Sequence, residues 1–171
     1  METTTNAPTV RGVGTKFGLI SAGFSIFFFL VLTLVGLNAF DNKWSWIGLI
    51  VSIVIMVFAH KQFKDQGDGF MSYGQGVGIG FWIALISLLI AGGFTFIYVN
   101  FIDQTAMDAF YDTQRMNMED KGMPDDQIDV AISWTRKLFW LFYFFFGIFF
   151  GVLVAVIVSI FTQKKNPQQA I

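Results

Sequence analysis

Cysteine is absent from the 171-residue chain, and histidine occurs once, as His60. Without a thiol there is no disulfide, no cysteine nucleophile, no iron–sulfur cluster and no cysteine zinc site. A single histidine also excludes a haem held by two. Charge is scarce too. Asp, Glu, Lys and Arg make up 13% of the residues and the net charge is −1, against roughly 25% charged residues in ordinary soluble domains. That balance excludes a disordered chain and a nucleic-acid-binding domain, which need charge that this sequence lacks. What is present instead is apolar: 54% hydrophobic residues, 18% aromatic, 22 Phe and a mean hydropathy of +0.60. A globule of this size cannot hide so much apolar surface from water, so the solvent of the chain is in part lipid.

Four apolar runs carry the pattern. Residues 17–40 contain no charge, and 24 residues at about 1.5 Å each reach about 36 Å, enough to cross a hydrocarbon core of about 30 Å with tilt. The run is too long for the core of a removable signal. Asp41-Asn42-Lys43 then makes a polar turn. Trp44 to Ala59 is a shorter second span, its Trp44 and Trp46 suited to the interfacial belt, with His60, Lys61 and Lys64 snorkelling at the other end. The third runs from Tyr73 to Ile102 and the fourth from Leu138 to Phe161. None of the four contains Asp, Glu, Lys, Arg or His, which argues against a proton pump or a transporter built on intramembrane charge.

Small residues recur along two of these spans. Gly147, Gly151, Ala155 and Ser159 in span four, and Gly76, Gly80 and Ala84 in span three, each repeat every four residues. A stripe of this kind lets two helix backbones approach closely, and van der Waals contact is the main attraction left where lipid is as apolar as the helix face. A dinucleotide loop fails at Gly74 to Gly80, because the third glycine of the motif is missing and no strand precedes it. The polar residues of the spans, Asn38, Thr33, Ser52, Ser87, Gln75 and Asn100, suit interhelical bonds or bonds back to the helix carbonyls.

Residues 103–137 hold eight acids and four bases. Read as a helix from Thr105 to Glu119, this loop puts Met107, Phe110, Tyr111, Gln114 and Met118 on one arc and Asp108, Asp112, Arg115 and Glu119 on a neighbouring one. Gly122 can end that helix and Pro124 can open a second one that continues into span four, giving an α-hairpin. Asp108 and Asp112 lie one turn apart, but Arg115 beside them makes a salt-bridged face the simpler reading than a metal site. No catalytic, cofactor-binding or metal-binding constellation can be assembled from these residues.

Several short motifs resemble the bacterial family catalogued as domain of unknown function 4199. They are Phe70-Met71-Ser72-Tyr73-Gly74-Gln75-Gly76 entering span three, Tyr98-Val99-Asn100-Phe101-Ile102-Asp103 leaving it, Lys121-Gly122-Met123-Pro124-Asp125-Asp126-Gln127-Ile128 in the loop, and Ile160-Phe161-Thr162-Gln163-Lys164-Lys165 at the end. The resemblance implies a four-span membrane protein of this length. It assigns no activity and no site residue.

The expected architecture is therefore all-α, an integral membrane four-helix bundle with an extracytoplasmic helical hairpin between spans three and four. Its segments are an N-tail over 1–16, spans one to three over 17–102, an acidic helical loop over 103–137, span four over 138–161 and a C-tail over 162–171. The expected function is a structural or accessory interaction module of the bacterial cytoplasmic membrane, not an enzyme. Partners would dock on the loop at Met107, Asp108, Phe110, Tyr111 and Asp112. The alternative is a small transporter or channel that binds a neutral or lipid-like ligand between the spans through Asn100, Gln75 or Ser87. The bilayer is the expected partner, together with a protein on the acidic loop or a second copy of the chain; nucleic acid is not.

Lys and Arg number six on the side of the tails and the turn after span two, and five on the other side, three of them close to the spans. This bias places the termini in the cytoplasm. In a chain with no native thiol, an impermeant reagent applied to intact cells, with any outer membrane permeabilised, should label Asp126→Cys and spare Gln66→Cys. The reverse pattern would invert the topology.

Overall fold

The computed structural model describes residues 7–166. The outer parts of the two tails, 1–6 and 167–171, lie outside the described residues. Among the described residues five long helices follow one another, α1 (Val10–Leu34), α2 (Ser45–Gln66), α3 (Tyr73–Ile102), α4 (Thr105–Glu119) and α5 (Asp125–Thr162), with a short 3-10 turn at Asn42–Trp44 before α2. There is no strand among the described residues; one antiparallel backbone bridge joins Met71 to Lys164. α1, α2, α3 and α5 are each long and apolar enough to cross a membrane. Phe27, Phe101, Phe145, Phe149 and Phe161 are among the many large apolar side chains that face outward. The chain is a multi-pass membrane protein.

Helix ends depart from the ends of the apolar runs for local reasons. α1 starts at Val10, inside the expected N-tail, because the Thr9 hydroxyl accepts from the Gly12 N–H at 3.0 Å and Val13, Gly14 and Phe17 bury against α3. It stops at Leu34 rather than Phe40. Gly36 takes φ +73°, with its N–H donating to the Thr33 carbonyl and that of Leu37 to the Leu32 carbonyl, the paired closure that a left-handed glycine permits. α2 continues past Ala59 to Gln66 because His60 and Phe63 are buried, so this span is not short. Gly122, at φ +72°, ends α4 in the same manner as Gly36. α5 has 38 residues and a length of about 57 Å, well beyond a hydrocarbon core of about 30 Å. α4 lies back along its first turns, with Arg115 of α4 paired to Asp129 and Arg136 facing Asp108.

The two small-residue stripes meet each other. Running antiparallel, Gly76 faces Ser159, Gly80 faces Ala155, Ala84 faces Gly151 and Leu88 faces Gly147. A β-carbon added at Gly151 would sit 2.5 Å from that of Ala84, and one at Gly76 would sit 2.6 Å from the Ser159 hydroxyl. Only the missing side chains allow this approach. The opposite flank of α3 is held by a stripe on α1: Gly14 lies against Trp82 and the Ile79 carbonyl, Gly18 against Ile86, and Ala22 is buried. Thus α3 is gripped from both sides.

Overpacking such a contact costs about 1–3 kcal/mol. Gly151→Leu should lower thermal stability in mild detergent by that amount, whereas Gly23→Leu should not, since no atom lies within 4 Å of its β-carbon position. Both changes gain helix propensity equally, so equal losses would show the α3–α5 contact to be loose.

Candidate functional site: a crevice between the spans

α2 is buried mainly toward one end. Its buried residues are Met56, Ala59, His60 and Phe63, all in its second half. From Ser45 to Ile55 no residue is fully buried. A crevice of about 470 Å³ opens there, between the first half of α2 and the faces of α1, α3 and α5. Phe24, Phe28 and Phe29 line it from α1, Trp44, Gly48 and Ser52 from the α2 side, Ala91, Gly92 and Thr95 from α3, and Tyr143, Phe150 and Val154 from α5. No Asp, Glu, Lys, Arg or His lines it. Its volume falls within the usual range of small-molecule sites, about 300–1,000 Å³. A second hollow of about 640 Å³ on the flank of α5, lined by residues such as Trp134, Phe142 and Phe146, is an outward-facing aromatic surface that acyl chains can cover.

The buried end of α2 is polar. His60 is fully buried and does not snorkel as the sequence suggested, because it serves three helices at once. Its Nε2 lies 3.0 Å from the Gly76 carbonyl on α3 and its Nδ1 2.7 Å from the Thr162 hydroxyl on α5. A carbonyl only accepts, so Nε2 carries a proton and, in the neutral ring, Nδ1 accepts from Thr162. The Val158 carbonyl, 2.8 Å from the same hydroxyl, competes for that one proton. Lys64 adds a bond from its Nζ to the Thr162 carbonyl at 2.9 Å. Beside this hub the buried Ser159 hydroxyl has no partner among the described residues.

Beyond the other end of the crevice α4 packs on an aromatic cluster that shares residues with the crevice wall. Met107 and Tyr111 are buried in a cluster with Phe29 and Val99, and Phe40, Phe110, Phe139 and Trp140 pack against it. Phe29 and Phe40 belong both to this cluster and to the crevice wall. Arg136 of α5 places its guanidinium 4.3 Å from the Tyr111 ring centre and faces Asp108 at 3.9 Å, while Arg115 pairs with Asp129. Burial pushes the Tyr111 hydroxyl pKa up, and nearby Arg136 opposes the shift. At the start of α4 the Thr105 hydroxyl and N–H hold the Asp103 carboxyl below its ordinary range.

Of the residues singled out from sequence, Met107, Phe110 and Tyr111 are spent in this cluster, and Asp108 and Asp112 stay exposed. Ser87 lines the crevice and donates to the Ser21 hydroxyl at 3.1 Å. Gln75 and Asn100 lie elsewhere. Gln75 completes a capping box with Ser72, and Asn100 donates back to the Phe96 carbonyl. Sequence reasoning missed three features: the α1 stripe, the His60 hub and the crevice. The stripe was visible as Gly14, Gly18 and Ala22 at the same four-residue spacing. The other two depend on which helices meet.

Compared with known proteins, residues 16–164 match the model of one family, described as protein of unknown function (DUF4199). No curated protein and no solved structure matches. The chain belongs to the DUF4199 family.

Removing the imidazole of His60 should strand the Gly76 carbonyl and leave the Thr162 hydroxyl only the Val158 carbonyl, at about 1–3 kcal/mol for a buried polar group left unpaired. His60→Phe should therefore melt well below wild type in detergent and Lys61→Ala, an exposed neighbour, close to it. Indistinguishable melting of the two variants would remove the hub's structural role.

Proposed function

We propose that this member of the family works in the bacterial cytoplasmic membrane, termini inward, as a non-catalytic module that holds one neutral, lipid-like molecule between α1, α2, α3 and α5. The observation that carries this reading is the uncharged crevice, bounded by a helix buried mainly toward its far end. Lateral access suits a ligand that arrives from the bilayer, and the wall of Phe, Trp and Val suits an acyl or isoprenoid chain. Hydrolytic chemistry has little support. Ser21 and Ser87 bond to each other rather than to a base, His60 is engaged by Gly76 and Thr162, and no group of three metal-binding side chains occurs among the described residues.

A second reading, an accessory module that docks a protein, draws support from the acids left outward. With the apolar stripe of α4 turned inward, Asp112, Asp120, Asp125 and Asp126 remain exposed, and they would favour a basic surface with an affinity that falls as salt rises.

Gly48 lines the crevice and has no atom within 4 Å of its β-carbon position, so Gly48→Leu fills the space without a clash. In nanodiscs, a diacylglycerol bearing a diazirine in its chain should label crevice residues such as Ser52 and Val154. The plug should cut that labelling about tenfold, the loss that follows from about 1.4 kcal/mol, and leave the melting temperature unchanged. Labelling spread evenly over Phe145 and Phe149, and indifferent to the plug, would refute the reading.

A further inference from the structure

Thr95 stands out within the crevice. It is 6% exposed and lines the cavity, yet its hydroxyl has no hydrogen-bond partner among the described residues. Thr33, Thr113 and Thr135 each donate back to the carbonyl four residues earlier, at 2.8–2.9 Å; Thr95 does not. It sits on the five-residue α-helical stretch Gly93–Ile97, between two wider turns of π-helix, Leu88–Gly92 and Tyr98–Ile102. Such turns interrupt the regular backbone ladder and recur at functional sites. The first of them places Ala91 and Gly92, both without bulk, on the cavity wall beside Thr95. Among the described residues the fully buried side-chain groups without a partner are Trp44 Nε1, on the same wall, and Ser159 Oγ; the Thr95 hydroxyl instead opens onto the cavity, where a bound molecule can reach it.

From this geometry we infer, building on the ligand-holding function proposed above, that Thr95 reads the head of the bound molecule, which is an uncharged lipid with a hydroxyl or ester head. Three observations narrow the class. A hydroxyl both donates and accepts, so it suits another hydroxyl or an ester carbonyl equally. No cation lines the crevice to neutralise a carboxylate or a phosphate, and an anion taken out of water without a partner is strongly disfavoured. Thr95 also lies toward the α4 end of α3, close in level to Trp44 at the start of α2 and to Tyr143 near the membrane entrance of α5, while the wall runs on through Ser52 to Met56 and Val154. The head therefore rests toward α4 and the chain extends toward the His60 end.

Thr95→Val keeps the shape and removes the hydroxyl. Three chain-matched diazirine probes separate the outcomes in nanodiscs: a monoacylglycerol, a fatty acid and a plain hydrocarbon. The wild type should prefer the monoacylglycerol over the other two. Thr95→Val should lose about tenfold for the monoacylglycerol, the equivalent of one hydrogen bond of about 1.4 kcal/mol. It should label unchanged with the hydrocarbon and melt no lower than wild type, since an unpaired group has been removed. If the monoacylglycerol labels Thr95→Val as well as wild type while Gly48→Leu still blocks it, the head-reading role is wrong and the crevice function stands. A preference for the fatty acid would overturn the assigned class. If no probe labels the crevice in any form, both readings fall together.

Discussion

Close approach of helix backbones is the constraint on which the rest of this structure depends. In a bilayer, an apolar side chain gains little by leaving lipid for protein, so helices are held where their surfaces fit and backbone dipoles and atoms come near. α3 meets that condition twice, through Gly76, Gly80 and Ala84 toward α5 and through the groove that receives Gly14 and Gly18 of α1. α2 has no comparable stripe. Gly48 is open to space, and the helix is secured instead by Ala59, Phe63 and the His60 bonds at one end. The crevice follows from this inequality: three helices locked side by side and a fourth buried mainly toward one end.

The same inequality explains what the sequence could tell. The four spans were readable because hydrophobic length is a one-dimensional property, and the two small-residue stripes because their four-residue period is local. Their pairing was not readable, since Gly151 would serve any helix that presents a small residue. His60 was misread for a similar reason. At the end of an apolar run a lone histidine belongs by default to the interface, and its burial becomes visible only when Gly76 and Thr162 arrive from elements 16 and 102 residues away. Helix ends shifted wherever a contact outlived the apolar pattern, as at Val13 and Phe63, or where a glycine closed the helix early, as at Gly36.

α4 shows local pattern and tertiary demand in agreement. Its amphipathic arc was legible, and the side chains on it are used: Met107 and Tyr111 are buried and Phe110 packs on Phe40 and Phe139. Aromatic edges meet aromatic faces throughout this cluster, for instance between Phe29 and Tyr98, whose ring centres are 5.3 Å apart, and between Phe96 and Trp140, 4.9 Å apart. Such pairs add directional attraction to simple burial. What the helix leaves outward is charge, tied down in part by Arg115 and Arg136. The sequence offered the stripe as a docking surface, and the fold packs it against its own bundle.

Charge is thereby sorted to the two ends. Lys64, with the polar His60 beside it, marks one end of the bundle, and Arg115, Arg136 and their carboxylate partners mark the other. Between them the side chains of the crevice wall offer hydroxyls, one phenol, an indole, a thioether and hydrocarbon, and no charge. An anion entering it would meet no counter-charge, and the desolvation it suffers there would have nothing to offset it. A neutral molecule meets no such penalty. In the proposed role it would contact the Phe, Trp and Val wall and meet, at Thr95, a hydroxyl that opens onto the cavity. Selectivity in such a site comes from the omission of charge as much as from the placement of one polar atom.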